Sequence, residues 1–169
     1  DGDDYLYSGD VLNILHEKYS ETDCLITYGS HLCSKGVRGK KYPGLIRKFN
    51  LFREYFWYAS HLRTFRHDLW LSVNKHDLLD KNRKFYSVAW DLAIMFPMLE
   101  MAGSRQEFVK EVLYFYNDGN NTAQLTTTAL DFYAVDTIRS MTSDELEVTS
   151  SLITFDSAAT TLDNTTATT

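Results

Sequence analysis

Cysteine is nearly absent from this chain of 169 residues, and the two that occur, Cys24 and Cys33, lack Cys-X-X-Cys spacing and neighbouring paired histidines. They read as reduced thiols in a cytosolic setting and not as a zinc site. Long hydrophobic runs are missing as well. No stretch approaches the roughly 18 apolar residues of a membrane helix, and no signal peptide is visible. An initiating methionine is also lacking, and the abrupt opening "DGDD" reads as a fragment or excised segment. The missing targeting signal therefore says little about a parent protein. Basic residues disappear after Arg139, where residues 140–169 hold five acidic residues, nine Thr and five Ser. That composition predicts a weakly structured tail or linker.

What is present is globular. The chain is 44% hydrophobic and 14% aromatic, enough for one domain with a real core over 1–139. Net charge is −6 and unevenly spread. Residues 31–66 carry Lys35, Arg38, Lys40, Lys41, Arg47, Lys48, Arg53, Arg63 and Arg66 against Glu54 alone. An acidic cluster and a basic stretch in one domain suit a ligand whose phosphates are bridged by a cation. A solvated loop or a nucleic-acid patch is the plainer alternative for the basic stretch. The near-neutral body argues against nucleic acid as the main partner.

Periodicity places the elements. Ser8 is positioned to cap a helix through Val11, Leu12, Leu15 and Tyr19. "CLITYGS" (24–30) reads as a strand, 31–43 as a long loop, "HLRTF" as a strand and "HDLWLSV" as a short helix. "SVAWDLAIMFPMLEMAG" (87–103) predicts an amphipathic helix, kinked at Pro97 and stopped by Gly103. "EVLYFYN" (111–117) predicts a strand, and 126–141 a last helix. The order is α/β in character.

The opening acidic residues pose the chemical question. Asp1, Asp3 and Asp4 lie within four residues, where carboxylates repel one another unless a cation sits between them. An acidic surface turn and an oxygen-liganded divalent metal both fit that spacing. The sequence then shows "DGDDYL", "DCLITYGS", "ASHLRTFRHDLW", "AWDLAIMFPMLEMAG" and "VLYFYNDGN" in order. With these the chain resembles glycosyltransferases of family 2, of the polysaccharide-building kind found in bacteria and large algal viruses. The resemblance covers about residues 1–139, and "HLRTF" and "PMLEMAG" are its most specific pieces.

This resemblance implies the GT-A nucleotide-diphospho-sugar transferase fold, here its C-terminal half, because the metal-binding Asp-X-Asp element closes the nucleotide-binding half in such enzymes. It implies a metal-dependent, inverting transfer of a sugar from a nucleotide-diphosphate donor to an acceptor hydroxyl of a glycan or other molecule. Asp1 and Asp3 would hold Mn²⁺ or Mg²⁺ against the diphosphate, with Asp4 holding the turn. Arg63 and Arg66 are the candidates to stabilise the diphosphate. The resemblance places the general base at Asp91, where Trp90 replaces the Glu of a Glu-Asp pair that opens a helix. Asp77 and Asp80 are weaker rivals, and Glu100 reads as a buried structural group. His61 would line the acceptor pocket or pack in the core. Trp57, Trp70 and Trp90 could stack on sugars, although core packing explains each of them. A non-catalytic carbohydrate-binding or scaffold module of the same fold is the alternative, and a nucleotidyltransferase would need a Gly-rich phosphate loop that does not follow "DGDD".

Overall fold

Along the chain the elements run β1 (Tyr5–Leu6), α1 (Val11–Glu21), β2 (Ile26–Cys33), β3 (Gly36–Arg38), α2 (Gly44–Phe49), β4 (Thr64–Phe65), α3 (His67–Leu71), α4 (Trp90–Ala102), β5 (Gln106–Phe115) and α5 (Ala129–Ser140). Short 3₁₀ turns lie at Lys75–Leu78 and Asp118–Asn120. The computed structural model describes residues 2–120 and 129–141. The tail expected over 140–169 therefore lies, from residue 142 on, outside the described residues.

The architecture is mixed α/β around one mixed sheet in the order β1-β5-β2-β3. β2 and β5, the β-branched and aromatic runs, pair in parallel at its centre, from Ile26 opposite Gln106 to Leu32 opposite Phe115. A parallel pair needs a long crossover, and here it contains α2, α3 and α4. β1, β3 and β4 all pair antiparallel, β4 against Ile26 and Thr27 of β2.

The sheet buries both faces. On one, Val11 and Leu15 of α1 pack against Val109 and Leu113 of β5. On the other, Ile26 and Tyr28 join Phe52, Leu69 and the α4 residues Met95, Phe96, Met98 and Leu99 in the larger core. Among the described residues, no helix is long and apolar enough to cross a membrane.

Several expectations change in detail. Ser8 does not cap α1: Asp10 occupies the cap position, and the Ser8 hydroxyl accepts from the Asp10 N–H at 3.3 Å. The predicted loop at 31–43 is partly a hairpin, since β2 runs on to Cys33 and turns into β3. α4 is not one-sidedly amphipathic. It is buried on nearly all sides from Ala93 to Ala102, because α3, α5, the turn at Lys75–Leu78 and β2 all pack around it. Gly103 does end it, with φ of 53°.

Two features fix the surroundings of the site. At Gly39, a Cβ would lie 2.7 Å from Ser30 Oγ and 2.9 Å from the Gly29 carbonyl oxygen, so only glycine lets the chain leave β3 this close to β2. Deep under α4, Arg53 forms a forked ion pair with Glu100, Nε to Oε1 at 2.5 Å and Nη2 to Oε2 at 2.9 Å. The same guanidinium donates to the Ile138 carbonyl, and Arg139 donates to the carbonyls of Arg53 and Tyr55. These bonds tie α5 to the body.

Candidate active site

Leu62 and Arg63 lead into β4 beside Gly29 of β2, whose lack of a side chain matters chiefly toward the Val109 carbonyl of β5. The Gly29 N–H donates to the Ser60 carbonyl at 3.2 Å, and a Cβ there would stand 3.6 Å from the His61 oxygen and 3.1 Å from the Val109 oxygen. The first turn of α4 faces this segment. Between them lies a cleft of about 660 Å³ lined by His61, Arg63, Trp70, Trp90, Asp91 and Tyr114, among others. That volume suits a small-molecule ligand.

Asp91 sits in the first turn of α4, where the helix dipole favours a carboxylate. Arg63 Nη1 donates to Asp91 Oδ2 at 3.1 Å, and both side chains keep some access to solvent. Arg63 Nη2 meets His61 Nε2 at 3.1 Å, so that ring nitrogen accepts and the imidazole is neutral. The guanidinium lies 5.9 Å from the Trp57 ring centroid, while its buried Nε has no partner among the described residues. That nitrogen is closed off from solvent, so the donors that Arg63 can turn to a ligand are those of its two Nη groups.

His61 is held flat against Tyr114 and Tyr116, with ring centroids 4.9 and 5.3 Å away, and His31 meets it edge-on. His31 Nδ1 is in turn 3.0 Å from Ser60 Oγ. Burial, reinforced by the charges of Arg63 and His31, pushes the His61 pKa down to about 4. Burial also lowers His31, with Arg38 and Arg63 adding to the effect.

Between pH 6.5 and about 4 the unfolded chain takes up a proton at His61 that the folded chain refuses, so stability falls as the pH falls through that window. After discounting for partial exposure, this contributes about 1–2 kcal/mol. Thermal unfolding of the wild type from pH 7 to pH 4 is expected to lose stability more steeply than His61→Gln, while the carboxylates titrate alike in both chains. Parallel curves would remove His61 as the cause.

At the opposite wall, Asp4 accepts from the Tyr114 hydroxyl and from the Asn117 N–H, each at 2.8 Å. Asp4 therefore pins the N-terminal segment to β5. Burial, together with the bond to Asp4 and its charge, raises Tyr114 to about 12. Asp3 is exposed, and its charge adds slightly to the rise at Tyr114. Asp1 lies outside the described residues.

The structure thus brings His61, Arg63, Trp90 and Asp91 into one cleft, and Asp3 is not among its lining residues. Arg66 points elsewhere: Nε donates to the Cys24 carbonyl at 3.0 Å and the guanidinium lies over Tyr19. Trp57 packs on Phe96 with centroids 5.3 Å apart, whereas Trp90 is 55% exposed at the cleft edge. Asp91 is the one carboxylate among the described residues that line the cleft. Asp80 is occupied in an exposed turn, accepting from the N–H groups of Lys84 and Asn82, which lower its pKa. Tyr114 and Tyr116 were not singled out from the sequence, although their spacing of two in "LYFYN" puts both on one face of a strand.

Among the described residues, no three His, Cys, Asp or Glu side chains converge as a metal cage. Mg²⁺ and Mn²⁺ do not require one, since they commonly bind through one or two carboxylates plus substrate phosphates. Asp4 is engaged by its two donors, and Asp3 carries the hard carboxylate oxygens such an ion takes. No family model matches the chain, and no curated protein or solved structure does either.

Proposed function

We propose that this chain provides the acceptor side of a GT-A-fold glycosyltransferase, moving a sugar with inversion from a nucleotide-diphosphate donor to an acceptor hydroxyl. The single observation that carries the reading is the pairing of Asp91 and Arg63 in an aromatic-walled cleft: a carboxylate at a helix start beside a cation. It is supported by the resemblance in "DGDD", "HLRTF" and "AWDLAIMFPMLEMAG".

In this reading Asp91 takes the proton of the attacking hydroxyl. Its Oδ2 is held by Arg63, and Oδ1 is without a partner among the described residues, so it is the oxygen open to an acceptor. General-base catalysis needs that geometry more than it needs any other group here. Arg63 orients the carboxylate and stabilises negative charge on the departing diphosphate through its remaining donors. Neutral His61 accepts from Arg63 and so keeps the guanidinium fork aimed across the cleft. Trp90 and Trp70 offer ring faces to the apolar C–H side of a sugar. A divalent ion, held by Asp3 with Asp1, would neutralise the diphosphate when bound.

The test is nucleoside-diphosphate release and sugar transfer from a panel of uridine- and guanosine-diphosphate sugars. It is run with the 169-residue chain and with any longer polypeptide that contains it. Transfer is expected to need Mn²⁺ or Mg²⁺, and Asp3→Ala is expected to lose most of it without a change in the unfolding temperature, since Asp3 is exposed. Undiminished transfer in excess EDTA overturns the metal role. Absence of release from every donor in every form overturns the transferase reading and leaves the carbohydrate-binding module.

A further inference from the structure

We propose that the segment from Lys35 to Phe49 is a docking surface for an anionic lipid bilayer. This surface lies outside the cleft and does not depend on the transferase reading.

The segment contains six basic residues, Lys35, Arg38, Lys40, Lys41, Arg47 and Lys48, and no acidic one. Arg38, Lys40, Lys41 and Lys48 are exposed, while Arg47 is half-buried and Lys35 lies beside Asp118. Lys35 is exposed too but has the Asp118 charge against it, so the other four exposed cations are the ones that face a partner. Charge alone would describe an ordinary solvated face, but the same segment holds Val37, Leu45 and Phe49 outward at 61%, 67% and 58% exposure. Within α2, Leu45, Lys48 and Phe49 are spaced three and four residues apart and share one side. Ile46 turns the other way and packs on the core.

The segment that carries these apolar side chains is fixed to the body at its middle. Tyr42, in the middle of the segment, is 1% exposed. Its N–H donates to the Tyr28 hydroxyl at 3.0 Å, and its hydroxyl accepts from the Tyr58 N–H at 3.1 Å. Gly39 presses the chain onto Ser30 just before it. The segment is thus anchored at two points, with cations and apolar side chains projecting between and beyond them.

Charge complementarity selects an anionic partner, and the exposed Leu45 and Phe49 select one with an apolar interior. A bilayer surface offers both, taking apolar side chains at the level of the headgroups while lipid phosphates meet the cations. RNA would use the cations but has no place for Leu45. The overall charge of −6 works against general attraction to polyanions, so binding depends on this local surface.

The experiment is co-sedimentation of the 169-residue chain with vesicles of phosphatidylcholine alone and of equimolar phosphatidylcholine and phosphatidylglycerol. Binding is expected on the anionic vesicles only, weakening as salt rises. The double variant Lys40→Gln/Lys41→Gln is expected to lose about 25-fold in partition, about fivefold for each cation. Leu45→Ser/Phe49→Ser is expected to lose about tenfold or more, from apolar insertion. All four positions are exposed, and unchanged unfolding temperatures confirm intact folding. Absence of binding to anionic vesicles, or equal binding to both kinds, overturns the proposal. Full binding by Leu45→Ser/Phe49→Ser, together with displacement of the chain by polyuridylate, assigns the surface to nucleic acid instead.

Discussion

Asp91→Asn is expected to lower sugar transfer by about 10²- to 10⁴-fold, the range lost when a positioned general base is removed. The amide keeps the size of the carboxylate and can still accept from Arg63 Nη1, which now stands 3.1 Å from Oδ2. What disappears is the capacity to take a proton. Stability should change by no more than about 0.5–1 kcal/mol, because the ion pair with Arg63 is partly solvated. Donor affinity should also hold, since it rests on the metal and diphosphate contacts. The measurement is steady-state transfer with donor affinity titrated separately, which splits turnover from binding. Near wild-type turnover in Asp91→Asn, with loss in Asp77→Asn instead, would move the base to the turn at Lys75–Leu78.

Much of the cleft was legible because its parts sit in two short motifs. "HLRTF" carries His61 and Arg63, and "AWDL" carries Trp90 and Asp91. Their meeting was not legible from spacing, because it depends on β4 pairing with β2 and on α4 entering above that strand. Arg66 shows what a face argument would have given. It lies three residues beyond Arg63, and in extended chain an odd spacing turns two side chains to opposite faces. Arg66 accordingly bonds to Cys24 and Tyr19 while Arg63 enters the cleft. The tyrosine wall was overlooked for a related reason. The β-favouring run of "EVLYFYN" explains a strand without saying which of its residues face a ligand.

The fold was readable where periodicity was long. α1, α4 and α5 fall near their expected places and β5 begins five residues before the strand expected at 111–117, whereas the interior of 31–49 did not yield to the same reading. β3 and α2 are short, and tertiary anchoring through Tyr42 holds the segment more than local propensity does. The burial of α4 on nearly all sides was masked by its polar residues. Glu100 reads as a buried structural group and is one, but its partner Arg53 arrives from a different part of the chain and could not be named from the helical pattern.

That buried pair gives the largest expected effect on stability. Glu100→Ala would leave the Arg53 guanidinium without its carboxylate in a site where the two side chains are 11% and 4% exposed. Removing one partner of a buried pair costs about 3–5 kcal/mol, because the remaining charge stays desolvated. For a chain of this size, that lowers the unfolding temperature by about 10 °C or more. The loss should not stop at α4. Arg53 also donates to the Ile138 carbonyl, and its own carbonyl accepts from Arg139, so a displaced guanidinium loosens α5 as well. Hydrogen exchange at the amides of residues 134–140 should therefore quicken in Glu100→Ala beyond what the global change explains. Arg53→Met in the same background separates charge from packing. It removes the orphaned cation, keeps an apolar side chain against Phe96, and should recover part of the lost stability. If Glu100→Ala instead melts within about 2 °C of the wild type, water or another group already satisfies Arg53 and the pair does not hold α5 in place.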